Sequence, residues 1–484
     1  MEKALARPRQ LTLRIGPAGG DGRYCVVEMI GEDLRKAGMA SADAAALGST
    51  GRILDATDIL RMTQPFPPRR DAGLARLHAF LPRAGQRYAA ERNHDRGPAD
   101  RGNVSGLGPY VRHRLVTEAE VIRHVLDVHS FGAAEKFIQE QFWRTYWKGW
   151  LELRPQVWRD WLAGVAEARR RLDRDPGLHD CYTDAVAGRT GIDGFDAWAA
   201  ELRETGYLHN HARMWFASIW IFTLRLPWEL GAEFFLRHLL DGDPASNTLS
   251  WRWVGGLQTV GKTYLARRDN IRTYTEGRFD PVGLATSAAP LTGTPIPPPG
   301  TLPALPVADP TVRTGLLLHE DDLAPESLAG VPPLAAVAVL DTAPVHSPHG
   351  VSERVQTWVS GALADAAQRA GKAFGLTPDR LTGTDWCARM IDWARAAGLA
   401  QVVAPYAPVG PTADRLAALE TALGDAGIQL VRLPRPYDRA SWPHATRGYF
   451  AFKEKIPRLL TKAWREPGLC DSIGHAEETD GAAD

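Results

Sequence analysis

Between Pro281 and Pro310 the chain holds nine prolines and no charged residue before Asp309. Such a run lacks the amide donors and the free φ angles that a helix or sheet needs. It reads as an extended linker, or as a strap lying over the surface. The 484 residues must therefore build their cores on either side of it, and the two sides differ in period. From Asp71, where Leu74, Leu77, Phe80 and Leu81 form a stripe, the pattern is helical to about Leu265. Beyond the prolines, Gly315–Leu318 and Ala335–Leu340 are buried-strand candidates, and Gln356–Ala370 and Asp385–Ala397 are helices. Gln401–Tyr406, a helix over Thr412–Ala426, and Ile428–Leu433 make a strand–helix–strand unit. That alternation implies a doubly wound, Rossmann-like α/β domain. The expected division is an N-terminal segment with short strands (1–70), a mainly α-helical domain (71–280), a Pro-rich linker (281–312), an α/β domain (313–470) and a small, acidic, disordered tail (471–484).

Composition narrows the chemistry. Lys+Arg and Asp+Glu are 57 each, so a nucleic-acid partner needs a local basic groove rather than a global field. Cys25, Cys181, Cys387 and Cys470 are scattered, which argues for a reducing compartment and against a cysteine-built metal site; no metal is expected. Met1–Gln10 leads into no long apolar stretch, and Met214–Leu224 is too short to cross a bilayer and reads as a core helix. A soluble, cytoplasmic protein without a membrane partner is expected. Leu11–Ile15 and Tyr24–Ile30 look like short strands flanking Gly16–Gly22, hence a hairpin or loop rather than a dinucleotide fingerprint. Gly256-Leu257-Gln258-Thr259-Val260-Gly261-Lys262-Thr263 satisfies G-x4-G-K-[ST], but no β-branched strand precedes it, so the match is read as coincidence.

Sixteen tryptophans are an excess, and they cluster between Trp143 and Trp253 among charged residues. A large helical core would account for them, but the interleaving favours an aromatic-lined cofactor pocket. Within the cluster stand His209-Asn210-His211-Ala212-Arg213-Met214, then Asp241-Gly242-Asp243-Pro244-Ala245-Ser246-Asn247, then Trp251-Arg252-Trp253. Polar residues that an apolar core would reject suggest a buried ligand with many hydrogen-bonding edges. Upstream, Glu140, Trp143, Arg144 and Trp147 fall on one face of a helix. Standing alone, that segment would be an amphipathic helix with an internal Glu–Arg pair.

Together these segments resemble the flavin domain of the DNA photolyase/cryptochrome family, over about Tyr88–Pro281. Glu140, Trp143, Arg144 and Tyr146 occupy the positions of E-x-x-W-R-x-[FY], whose Glu and Trp meet a pyrimidine dimer and whose Arg contacts the flavin side. Asn103–Tyr110 looks like the T-S-x-L-S-P-Y phosphate loop, with Ser105, Gly106 and Leu107 in place and Gly108 where the family has a second Ser. Small residues there let amides approach a diphosphate. Thr190–Asp193 is similar to the T-G-x-P turn without its Pro. By the same resemblance Asn210 and Met214 face the lesion, Arg213 lies beside the flavin, and Asp241 and Asp243 contact that Arg and the isoalloxazine edge. Asn247 sits against flavin N5, Trp251 and Trp228 are the inner residues of a photoreduction chain whose outer member is unassigned, and Trp253 lines the pocket. Tyr88 joins the cofactor set. Asp243-Pro244 is equally a good helix start.

The resemblance implies noncovalent FAD and light-driven splitting of cyclobutane pyrimidine dimers in UV-damaged DNA, by electron transfer from the excited reduced flavin, in a monomer. A cryptochrome-like photoreceptor is the alternative; Glu140, Trp143, Asn210 and Met214 favour repair, since a sensor needs none of them. Members acting on (6-4) photoproducts look like H-H-x-x-R-H here. Asn210 and Met214 replace two of those histidines and cannot act as acids, so cyclobutane dimers are expected. His209 is as well explained as a packed core histidine. The family places its α/β antenna domain first, whereas here the α/β pattern comes last. Leu316–Leu323 and Gln401–Leu433 resemble parts of that domain, implying a permuted antenna-type domain; whether it holds an antenna chromophore is left open.

Overall fold

The computed structural model describes residues 66–341, 346–381 and 385–463, with the backbone of Gly16–Pro17 and Tyr24–Cys25. The chain falls into two units, Met1–Pro67 and Pro68–Asp484. In the first, β1 (Gly16–Pro17) pairs antiparallel with β2 (Tyr24–Cys25), Gly16 opposite Cys25; β1 thus lies within the segment expected to be the turn. Leu11–Ile15, residues 26–30 and the tail from 471 lie outside the described residues.

The second unit opens with helices. α1 (Arg70–Phe80) buries Leu77 and Phe80. α2 (Gly108–Arg112) follows the glycine loop. α3 (Glu118–Val128) starts at a capping box, in which Thr117 accepts from the Glu120 N–H and Glu120 accepts from the Thr117 N–H. α4 (Phe131–Glu152) runs through the middle. α5 (Asn210–Ser218) passes into a π-helical turn over Ile219–Thr223. α6 (Trp228–His238) and α7 (Pro244–Val254) pack on one another. Of the eleven tryptophans between Trp143 and Trp253, nine are buried and only Trp143 and Trp253 are half-buried. Most of the cluster is thus core, as the plainer account of the composition had it, because large planar side chains fill the gaps between helices. Residues 255–261 form turns directly after helix α7, so no strand leads into the G-x4-G-K-T match. None of the helices among the described residues is long and apolar enough to cross a membrane.

Residues 281–313 form neither helix nor strand and run as a strap. Its amides and carbonyls are tied down singly: Ala285 N–H to Thr223 Oγ1, Leu291 N–H to Gly255 O, Gly300 N–H to Leu153 O, and Arg154 Nε to Pro297 O. The strap ends at a five-stranded parallel sheet of order β5-β4-β3-β6-β7, with β3 Thr314–Leu318, β4 Leu334–Leu340, β5 Asp379–Leu381, β6 Gln401–Pro405 and β7 Gln429–Leu433. Every residue of β3 and β6 is buried, which is why these strands read as apolar runs without alternation. α8 (Glu353–Phe374), α9 (Trp386–Ala396) and α10 (Pro411–Asp425) are the connecting helices. After β7 the chain returns to α4 through Pro436–Ser441, α11 (Tyr449–Lys453) and α12 (Ile456–Ala463).

A parallel sheet normally offers a ligand crevice where its strand order reverses, at the C-terminal ends of β3 and β6. Here the chain fills it. His319 reaches the Pro405 carbonyl at 2.8 Å. Asp321 takes Arg112 at 2.6 Å, and Asp322 takes Arg435 through two 2.6 Å bonds and Arg114 at 3.3 Å. Glu320 pairs with His346 at 3.0 Å. On the β6 side, the Glu152 carboxylate accepts from Tyr406 Oη at 2.7 Å and Val409 N–H at 2.5 Å.

Glu152 is 6% exposed, and burial pushes its carboxyl up to about 7, outweighing the two hydrogen bonds that favour ionisation. An unfolded Glu titrates near about 4.3, so the folded chain holds this proton more tightly. The stability it lends is whole below about pH 4 and is lost as pH rises through about 7. Glu152→Gln keeps a partner for both Tyr406 and Val409 and removes that loss. In urea denaturation the variant should gain on the parent by roughly 2 kcal/mol between pH 5 and pH 8; a difference independent of pH would contradict the assignment.

Candidate cofactor site

Several segments converge on the N-terminus of α5. His209 caps the helix, its Nδ1 accepting the His211 N–H at 3.2 Å. It is 5% exposed, and burial holds its imidazole down at about 4, hence neutral. The Arg92 backbone lies against the same ring. Arg92 itself pairs through Nη1 with Glu140 of α4, while the next residue, Asn93, accepts at its carbonyl from His211 Nδ1 at 2.9 Å. One short segment thus ties Glu140 to the helix end that presents Asn210, which is exposed, and Met214, which is half-buried. Burial raises the Glu140 carboxyl, against the pull of Arg92. On the other side Trp253 stacks on Tyr264 at 5.7 Å, and Tyr264 Oη lies 3.4 Å from His211 Nε2. Glu140, Asn210 and Trp253, up to 113 residues apart in sequence, are joined through two intermediates that the sequence did not single out, Arg92 and Tyr264.

One turn further along α5, Arg213 donates from Nη2 to both oxygens of Asp241 at 3.0 Å and from Nε to Leu208 O at 3.0 Å. Its guanidinium lies 5.7 Å from the Tyr207 ring. Asp241 presses on the glycine loop so closely that a Cβ on Gly108 would overlap its carboxylate. Gly108, where the family pattern has a second Ser, makes room for that carboxylate. Gly106 adopts φ +61, a left-handed conformation natural to glycine, and Ser105 Oγ accepts the Leu107 N–H at 3.3 Å. Three arginines attend this loop. Arg83 bonds Gly102 O at 2.6 Å, Arg101 lies 4.3 Å over Tyr207, and Arg76 Nη1 stands 2.8 Å from where a Gly106 Cβ would be. Arg101 is paired with Glu201 at 2.8 Å, so Arg76 and Arg83 are the cations nearest the loop, and their spacing carried no motif.

Asp243 faces elsewhere. Oδ1 caps α7 by accepting the Ser246 N–H at 2.7 Å, and Oδ2 looks toward Lys148 Nζ at 3.7 Å and Arg112 Nε at 4.0 Å. Burial works to raise its carboxyl, but Lys148 and Arg112 outweigh it and hold it low. Arg144 acts electrostatically on Asp243 and on Glu118. Asn247, 8% exposed, donates Nδ2 to Ala232 O at 2.7 Å, which fixes its amide and leaves the oxygen for another partner. Tyr88 is buried edge-on against Phe137 at 5.1 Å and interacts with Arg92. Trp251 is enclosed by Phe235 at 5.1 Å, Trp220 at 6.1 Å and Phe216 at 6.4 Å. Trp220 came from no motif. Trp228 lies at the start of α6 beside Glu229. Trp143 is stacked face to face on Tyr449 at 3.4 Å and 10°, so one of its faces is already covered.

Gly108→Ala should displace Asp241, loosen the Arg213 pair and lower stability by about 1–3 kcal/mol, the usual range for overpacking. Thermal melting measures this, and an unchanged midpoint would mean that Asp241 has room to retreat.

Residues 137–284 match the family model described as the FAD binding domain of DNA photolyase. Similar proteins named deoxyribodipyrimidine photo-lyase include that of Streptomyces griseus, 33% identical over 35% of this chain and 38% of that protein. Another, from Thermus thermophilus, is 34% identical over 41% and 46%, and one from Escherichia coli is 28% identical over 46% of each. The chain spans less than half the length of these relatives. Among solved structures, a bacterial class III photolyase from Agrobacterium tumefaciens is 24% identical over 43% of this chain and 45% of its own, with a TM-score of 0.36. A Synechocystis cryptochrome is 22% identical over 43% and 44%, with a TM-score of 0.34. The likeness to the photolyase FAD-binding domain thus lies within residues 137–284.

Proposed function

We propose that this protein is a light-driven DNA repair flavoenzyme that binds FAD around Arg213, Asp241 and Asn247 and splits cyclobutane pyrimidine dimers. The observation that carries the reading is the Arg92–Asn93 segment, which ties the Glu140 carboxyl to the end of α5 that bears Asn210. A repair site needs a hydrogen-bonding carboxyl and an amide at one mouth; a light sensor does not. The fit of a flavin is supported by the glycine loop, where Gly106 turns in the left-handed region and Gly108 lets Asp241 close on the loop, and by the arginines around it. FAD, when bound, supplies the photochemical electron transfer.

The chain's own residues do the rest. Asp241 holds the Arg213 guanidinium in place, and the loop amides of Ser105–Gly108 face the diphosphate. Asn247, with Nδ2 committed to Ala232, presents its oxygen and no titratable group. The Arg92–Glu140 pair brings a carboxyl and a guanidinium to the mouth beside Asn210. Trp253 offers a stacking surface to a base leaving the duplex, at a cost of a few kcal/mol for the base flip. Trp143 does so with the face that Tyr449 leaves open. Trp251 is the inner donor for photoreduction, with Trp228 the next residue by family likeness. We assign 71–280 to the cofactor-binding part and 313–470 to a rearranged antenna-type α/β part.

Purified protein should be yellow and release FAD in about equal molar amount. Asp241→Ala leaves a partly buried guanidinium unpaired, which costs about 3–5 kcal/mol, and should strip the flavin; colourless parent protein that FAD does not reconstitute would sink the reading. Reduced protein under blue light should repair an oligonucleotide with a cyclobutane dimer and leave a (6-4) product intact. Repair of neither, with normal flavin photochemistry, would instead make the protein a cryptochrome-like photoreceptor. Trp251→Phe should slow photoreduction at least tenfold and spare repair by chemically reduced protein.

A further inference from the structure

The chain as a whole carries no net charge, yet residues 446–462 hold Arg447, Lys453, Lys455, Arg458 and Lys462 against Glu454 alone. Arg447, Lys455 and Arg458 are exposed, and Lys453 is half-buried beside Glu135 at 3.1 Å. In the middle of this basic stretch Phe450 is 81% exposed. Burying a Phe is worth about 1.5–3 kcal/mol, and neither neighbour shares its exposure. Tyr449 is buried, stacks on Trp143 and donates its hydroxyl to Gln139 O at 2.9 Å. Phe452 is fully buried between Phe142 and Tyr146, at 6.2 and 5.5 Å. Phe450 is therefore held out rigidly, from an anchored segment, beside the tryptophan that the proposed function places at the lesion.

We infer that residues 446–458 form the DNA-facing rim of the site, with Phe450 as a wedge that enters the duplex and fills the place a damaged base pair vacates. The inference rests on the repair reading. The occupant is duplex DNA: a polyanion satisfies the exposed cations, and an apolar ring gains by stacking in a gap between base steps. Arg447, Lys455 and Arg458 would hold phosphates and carry no preference for damage.

The test uses FAD-loaded full-length protein in the dark, with a fluorescein-labelled duplex containing one thymine dimer, its undamaged counterpart, and a dimer duplex with 2-aminopurine beside the lesion. Phe450→Ala should weaken binding to the damaged duplex by about tenfold, leave the undamaged duplex unchanged and suppress the aminopurine fluorescence rise; Phe450→Trp should restore both. Arg458→Ala should weaken both duplexes equally and reduce the salt dependence. Unchanged damaged-duplex affinity in Phe450→Ala, or equal loss on both duplexes, overturns the wedge while leaving repair standing. A fall in melting temperature for Phe450→Ala means the ring is covered by the chain itself, and also overturns it. If the parent holds FAD but distinguishes no duplex, the repair reading fails with it.

Discussion

A buried ion network at the C-terminal end of β3 is the constraint on which the rest of the molecule hangs. Glu320, Asp321 and Asp322 follow the strand directly, and their partners come from α2, the turn after it, residue 346 and residue 435. Arg114 is almost wholly buried and holds three carboxylates, those of Glu118, Asp322 and Asp438. Its φ of +52 is unusual for a side-chain-bearing residue and is retained because every direction around it is specified. Removing one partner of such a network costs about 3–5 kcal/mol, since a buried charge is left unanswered. The same network reaches the cofactor site. Arg112 and Lys148 face Asp243, Asp243 caps α7, and α7 carries Asn247 and Trp251.

α4 is the shaft that connects the parts. Glu140, Arg144, Lys148 and Glu152 recur every fourth residue along it and span about 18 Å at 1.5 Å per residue. Glu140 meets Arg92, Lys148 lies near Glu118 and Asp243, and Glu152 holds the loop after β6. A helix that crosses a core with a polar stripe is stable only when each member finds a partner. Here the partners lie on different elements, so the stripe also fixes how those elements stand to one another.

Much of this was legible in the sequence, and the boundary of legibility is physical. The strands over 315–318 and 401–406 were readable because burial on both faces leaves apolar runs, and those over 335–340 and 428–433 because their buried residues are apolar and cluster in short runs. β5 was not: it has three residues, two of them exposed, and no period to detect. Of the residues named by motif order, Arg213 meets Asp241 and Asn247 meets Ala232, partners 28 and 15 residues away. Arg92, Arg76 and Tyr449 were missed because their meaning lies in long-range contacts. Tyr449 is 306 residues from the Trp143 it covers, and nothing in its own neighbourhood marks it. The tryptophan cluster misled in the opposite direction, since a local excess of aromatics looks the same whether it lines a pocket or fills a core.

The filled crevice of the α/β part has a mechanical consequence. In an open sheet of this order, a ligand would settle where the strands reverse. Here it would have to expel the guanidinium groups of Arg112 and Arg114 and the carboxyl of Glu152 from positions each already satisfied. The sheet end is thus a clamp, holding α2, α4 and residue 435 through groups that have no second place to go.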